Sequence, residues 1–254
     1  MTLAAMQHHE SVTLFFGDED YRRKSLALLA KSHVIGKRVL DLRCLTGRLC
    51  VSLAKAGHQV RGFDGYAPAV EMTNRLARQE GILPIASVWD LTGLAARVSG
   101  ERFDTVICLD LLNHVDDDQR LMADIAQVTR KGGQLIIAAP AHPSLIGPRD
   151  NALGHLRRYS RLGMKDLLAR HGFKIIRMRY WNFLALPPYI ILEKWLGVGV
   201  SDKLRYGRGR RVGNLPNRLL GLWYTTVENR LLFPCGLSWF VTAERSAKGN
   251  GLLE

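Results

Sequence analysis

Between Lys37 and Pro140 short apolar runs alternate in strict order with stretches of helical periodicity, and few folds accommodate that order. KRVLDL (37–42), HQVRGFD (58–64), ILPIASV (82–88), FDTVICLD (103–110) and GQLIIAAP (133–140) read as strands, the third weakened by Pro84. LCVSLAKAG (49–57) reads as a helix closed by Gly57, and Pro68 suits the first turn of a second helix that reaches Gln79 and stops at Gly81. Residues 91–99 read as a short helix. In DDDQRLMADIAQVTRKGG the spacing predicts a longer one, with Asp116–Asp118 in its first turn, Arg130 and Lys131 in its last and Gly132 at the exit. Strands that alternate with helices pair in parallel and are covered on both faces, so the expected class is α/β, a doubly wound, Rossmann-like, mostly parallel sheet.

After Pro140 the pattern changes. AHPSLIGPRDNALGHLRRYSR (141–161) is too long for a simple connector and is a candidate functional loop. A helix (161–172) and the strand FKIIRMRYW (173–181) follow. WNFLALPPYIILEKWLGVGV (181–200) is apolar, but Pro187, Pro188, Glu193 and Lys194 keep it from spanning a bilayer. A basic, glycine-bearing loop (201–214), a helix (215–232) and a last strand (236–245) complete the chain. The expected organisation is an N-terminal helical segment (1–34), an α/β core (35–180), an apolar and basic helical lid inserted before the last strand (181–235), and that strand with a tail (236–254).

The charge of +13 is unevenly spread: residues 1–140 hold 17 basic and 16 acidic residues, residues 141–254 hold 19 and 7. Such asymmetry suits either an anionic partner met by the C-terminal half or a solvated basic face. The aromatic and basic mixture from Tyr180 to Arg211 suits peripheral membrane contact, an apolar anionic substrate, or an inner lid face packed on the sheet. Cys44, Cys50, Cys108 and Cys235 show neither a C-x-x-C pair nor metal-ligand spacing, so reduced thiols in a cytoplasmic protein without bound metal are expected. The first residues carry no basic stretch followed by an apolar core, and no export signal is expected.

In an open parallel sheet ligands sit beyond the carboxyl ends of the strands. Asp41-Leu42-Arg43-Cys44-Leu45-Thr46-Gly47 leaves the first strand, Asp64-Gly65 the second, and Asp90-Leu91 the third. An acid where Asp64 stands accepts hydrogen bonds from ribose hydroxyls, or else caps its own turn. Asp90 is placed for an exocyclic adenine amine or for a helix N-cap. Asp110 and His114 follow the fourth strand.

These segments resemble the class I S-adenosylmethionine-dependent methyltransferases, over roughly residues 35–245. The resemblance is carried by VLDLRCLTGRL, the acid of GFDGYAPAVEM, FDTVICLDLLNHVDDD, and KGGQLIIAAPAHPSL with GHLRRYSRLGMKDLLARHGF downstream. It is nearest to the bacterial subgroup acting on small molecules, sugars, lipids or natural products. The resemblance implies S-adenosylmethionine as cofactor and S-adenosylhomocysteine as product, held by Asp41, Arg43, Leu45, Gly47, Asp64, Gly65, Asp90, Leu91 and Asp110. It further implies methyl transfer to a small-molecule acceptor, anionic or lipid-linked, bordered by His114. Displacement at a sulfonium methyl needs an oriented nucleophile and, for a hydroxyl, a base. His114, His142 and His155 are the candidates, and Arg157, Arg158 and Tyr159 are candidate substrate contacts, with one arginine free to pair with Asp150 instead.

The family usually carries glycine where Arg43 and Leu45 stand. A left-handed backbone at either costs about 1–2 kcal/mol. Three outcomes stay open: an altered pocket with Arg43 on a carboxylate, a non-methylating use of the cofactor such as cyclisation, or a catalytically silent binding module. LPPY (186–189) lacks the leading Asn or Asp of the base-methylating signature and follows the wrong strand, and YGRGRR is a single short copy, so nucleic acid is not an expected partner. Both a monomer and a homodimer fit the sequence.

Overall fold

The computed structural model describes residues 21–90, 92–195 and 214–247. In chain order the elements are α1 (Tyr21–Lys31), β1 (Arg38–Asp41), α2 (Arg48–Lys55), β2 (Gln59–Asp64), α3 (Ala67–Gln79), β3 (Ala86–Val88), α4 (Leu94–Arg97), β4 (Phe103–Leu109), α5 (Asp118–Val128) and β5 (Thr129–Pro140). Then come α6 (Pro148–Ala152), α7 (Arg161–Arg170), β6 (Phe173–Trp181), α8 (Leu186–Tyr189) running on as a π-helical turn (Ile190–Trp195), α9 (Asn214–Trp223) with another such turn (Tyr224–Glu228), and β7 (Ser238–Arg245).

The strands form one sheet in the order β3-β2-β1-β4-β5-β7-β6. The first five are parallel, and β7 lies antiparallel between β5 and β6. Alternate residues of the central strands enter two different cores, as a sheet covered on both faces requires. Leu40, Val106, Leu135, Ile137 and Val241 pack on one face, and Val39, Ile107, Ile136, Ala138 and Phe240 on the other with Leu26, Leu29 and Ala30 of α1. The edge strand β6 instead exposes Lys174, Ile176 and Arg177, and its charges and the register shift between Ile175 and Arg177 discourage further strand pairing.

One expectation is corrected by the sheet. The helix predicted through Arg130 and Lys131 ends at Val128, and those residues belong to β5. Thr129 already pairs with Phe103, and Arg130 meets Asp104 at 2.6 Å, so sheet pairing and an ion pair outweigh the favourable placement of cations at a helix C-terminus. At the N-terminus of α5 only Asp118 of the three expected acids stands in the first turn; Asp117 is the N-cap, its side chain accepting from Arg120 N, and Asp116 precedes the helix.

Candidate functional site

Strand order reverses between β1 and β4, which places the crevice beyond their carboxyl ends. Four residues on that side of the sheet have left-handed backbones without being glycine: Leu45 (φ 49) after β1, Asp110 (φ 51) after β4, His142 (φ 60) after β5 and Asn182 (φ 68) after β6. Backbone strain of this kind, about 1–3 kcal/mol per residue, persists only where surrounding contacts hold it, and it gathers at functional sites.

The loop after β1 is held by the acids beside it. Asp41, 2% exposed, accepts from Arg43 N (3.2 Å) and the Cys50 thiol (3.3 Å). Asp64, also buried, accepts from Leu45 N (2.9 Å) and Tyr66 N (3.0 Å), so its carboxylate ties the β1 loop to the end of β2 and stabilises the strained Leu45. Burial pushes the Asp64 carboxyl up, against the pull of Arg43, the two amides and Arg23. Gly47 (φ 73) serves packing: a Cβ there would stand 2.5 Å from Thr73 Oγ1, so the glycine lets α2 lie against α3. At Gly65 an added Cβ would be in ordinary contact with the Trp89 carbonyl, at 3.5 Å.

Arg43 is 6% exposed and donates from Nη1 to the Asp110 carbonyl at 2.5 Å, bridging the ends of β1 and β4. Asp110 also meets Arg22 of α1 at 3.3 Å. Burial opposes the charge of Asp110, but Arg22, Arg23, Arg43 and His155 together hold its carboxyl below the usual range. Asp90 is exposed and accepts from Thr92 N (3.1 Å) and Oγ1 (2.7 Å), bonds that lower its carboxyl. Leu91 and the basic loop 203–211 lie outside the described residues.

The long loop after β5 carries a buried polar hub. Asp150, 1% exposed, accepts from Gly147 N (3.0 Å), His155 Nδ1 (2.9 Å), Arg158 Nε (3.0 Å to each oxygen) and the Tyr189 hydroxyl (3.1 Å). Burial opposes its charge, yet the bonds from His155 and Arg158 outweigh it and lower the carboxyl. Arg158 further donates to the Ala141 carbonyl and the Tyr189 hydroxyl. The His155 ring meets that of His114 edge-on, centroids 4.9 Å apart. This brings the loop dyad Asp150–His155 to the end of β4, within electrostatic reach of Asp110.

The remaining sequence candidates are engaged by the protein itself. His142 Nε2 lies 3.0 Å from the Gly236 carbonyl and its ring stacks on Tyr180. Arg157 donates to the Asp116 carbonyl (2.6 Å) and pairs with Asp118 (3.2 Å). Tyr159, 6% exposed, donates to the Leu112 carbonyl and Asp118. Two features had little signal in the sequence. Arg22 and Arg23 reach the crevice from α1, and Asn113 is fully buried with neither side-chain Oδ1 nor Nδ2 bonded among the described residues. Its backbone carbonyl accepts from Leu156 N (2.7 Å), joining the β4 end to the loop of His155. An asparagine at the end of an apolar strand was the sole hint. No group of acids, histidines and cysteines among the described residues is arranged to hold a metal.

Burial has a measurable consequence at Asp41, whose carboxyl it pushes from 3.8 to about 6, with the Asp64 charge adding to the effect and the bonds from Arg43 and Cys50 opposing it. The folded chain then binds this proton more tightly than the unfolded one, so stability falls as pH rises through the window between those values, by about 3 kcal/mol in total. Asp41→Asn should remove that slope. Urea unfolding across pH should show the variant gaining on the parent by about that amount through the window, and parallel curves would exclude the assignment.

Residues 12–178 match the profile of the family described as a methyltransferase domain, about two-thirds of the chain. The ubiquinone biosynthesis O-methyltransferase of Proteus mirabilis (strain HI4320) is 30% identical over 105 residues, which take in 41% of this chain and 42% of that relative. The chain thus matches less than half the length of that protein. Among solved structures, a geranyl diphosphate methyltransferase in complex with SAM superposes with TM-score 0.59 at 16% identity, covering 87% of this chain and 84% of that one. The [4+2]-cyclase SpnF superposes with TM-score 0.57 at 18% identity, covering 88% and 80%. These likenesses agree in the fold, and the profile settles the kinship: this chain belongs to the class I S-adenosylmethionine-dependent methyltransferase family.

Proposed function

We propose that the chain transfers a methyl group from S-adenosylmethionine to a hydroxyl of a small-molecule acceptor. The observation that carries the reading is the corner at the end of β4. A fully buried asparagine amide, unbonded among the described residues, lies there in sequence between residues that contact the Asp150–His155 dyad and its loop. A buried amide left unbonded costs about 1–3 kcal/mol, and a polar ligand removes that cost.

The residues present fit the cofactor. Asp64 retains lone pairs for ribose hydroxyls beyond the two amides it accepts, Asp90 stands beyond β3 for the adenine with Leu91 beside it in sequence, and the Arg43 guanidinium suits the amino-acid carboxylate. Asp41 and Gly47 shape the loop beneath. When bound, S-adenosylmethionine supplies an electrophilic methyl on a sulfonium, so the protein has only to orient the acceptor and take its proton. His155 suits the role of proton acceptor, because Nδ1 is committed to Asp150 and Nε2 is the nitrogen left to receive a proton, while the carboxylate stabilises the resulting imidazolium. Of the other histidines, His114 packs against this ring, and His142 is held by the Gly236 carbonyl. Tyr189, which follows β6, bonds to the same hub, which favours a covering role over the acceptor for residues 182–195. The basic C-terminal half favours an anionic or lipid-linked acceptor.

Calorimetric titration with S-adenosylmethionine and, separately, S-adenosylhomocysteine tests the cofactor directly. Saturable binding of either supports the reading, and no heat in a folded protein overturns it. In turnover with a phenolic acceptor, His155→Ala should lower kcat by about 10²–10⁴ while cofactor affinity stays unchanged. An equal loss of both would assign His155 to the fold instead.

A further inference from the structure

We propose that the turn closing α9, together with the start of the β6–β7 segment, is a docking surface for a bilayer containing anionic lipid. Leu231 and Leu232 are 55% and 67% exposed, Leu222 is 58% exposed and Leu184 is 38% exposed. Phe183 stacks on Phe233 with centroids 4.6 Å apart and Trp223 lies 6.3 Å from the same ring, which brings the chain segments carrying these leucines together. Exposed apolar residues scattered singly need no explanation, whereas a cluster does.

The turn that carries them is braced from within. Arg179, 4% exposed, donates to the carbonyls of Glu228, Asn229 (3.1 Å) and Leu231 (2.7 Å), taking up acceptors that the end of a helix leaves without partners. Glu228, fully buried, accepts from Phe183 N (2.9 Å) and Trp223 Nε1 (3.3 Å). A buried arginine and a buried glutamate thus fix the backbone of the turn on which Leu231 and Leu232 stand exposed, which suits insertion into an apolar phase.

Charge selects the occupant. Glu228, the one acid of α9 and its closing turn, is buried. Arg218 and Arg230 are exposed beside the apolar turn. A second copy of this chain would set Arg218 and Arg230 against their like, whereas an anionic lipid surface neutralises them. No described helix is long and apolar enough to cross a membrane, so the contact is peripheral.

Co-sedimentation of the full chain with vesicles tests this. Phosphatidylcholine mixed with phosphatidylglycerol should bind the protein, phosphatidylcholine alone should not, and added salt should release it. Leu231→Glu with Leu232→Glu should weaken binding by on the order of tenfold or more, with an unchanged melting curve. Leu83→Glu, at an 83% exposed leucine remote from the turn, should leave binding intact. Equal binding to both vesicle types, binding unaffected by the double substitution, or a dimer in light scattering that the double substitution dissociates would each overturn the proposal. The cofactor titration is independent of it, so one can fail while the other stands.

Discussion

Arg158→Ala is expected to destabilise the fold by about 3–5 kcal/mol, the largest stability effect of any single substitution in the long loop. Arg158 is nearly buried, and both oxygens of the buried Asp150 accept from its Nε. Removing the cation leaves a carboxylate in a site that water barely reaches, and takes from the Ala141 carbonyl and the Tyr189 hydroxyl the donor that Arg158 supplies. For a chain of this size the melting temperature should drop by roughly 10 °C. Adding Asp150→Asn should restore part of the loss, because the stranded charge accounts for most of it. A single-variant effect below about 1 kcal/mol would mean that the hub is solvated rather than structural.

Asp64→Ala should weaken S-adenosylmethionine binding by on the order of a hundredfold, the largest expected effect on affinity. On the proposed reading the ribose would lose an acceptor for its hydroxyls, and the Leu45 amide would lose the acceptor it has, so the strained loop after β1 would relax out of shape. Asp90→Ala should cost far less, since Asp90 is exposed and accepts from Thr92 within its own turn. Calorimetry on the two variants checks the ranking. Equal affinities for parent and Asp64→Ala, with the fold intact, would remove Asp64 from the cofactor site.

Much of this arrangement was legible in the chain. The strand and helix alternation, the glycine and proline boundaries and the acids after each strand all follow from local periodicity and turn chemistry. The cost of leucine at position 45 was legible too, and φ 49 meets it. Less could be read where distant segments decide. Thr129–Gly133 has the composition of a helix end, but β4 offers it ladder hydrogen bonds and Asp104 offers Arg130 an ion pair. Arg157, Arg158 and Tyr159 are adjacent in sequence, yet they bond to α5, to Asp150 and to the β4 end. Proximity along the chain therefore says little about which of them faces a ligand.

The order of elements, the two-sided burial of the central strands and the acids along the crevice come from short-range pattern, because side-chain periodicity and backbone preference act within a few residues. The insertion of β7 between β5 and β6, the approach of Arg22 and Arg23 from α1, the unbonded amide of Asn113 and the gathering of His155, Arg158 and Tyr189 around Asp150 depend on contacts between residues as far apart as Gln134 and Glu244. Those contacts depend on desolvation and on which buried polar groups find a partner, and both are properties of the packed interior that no window of sequence contains.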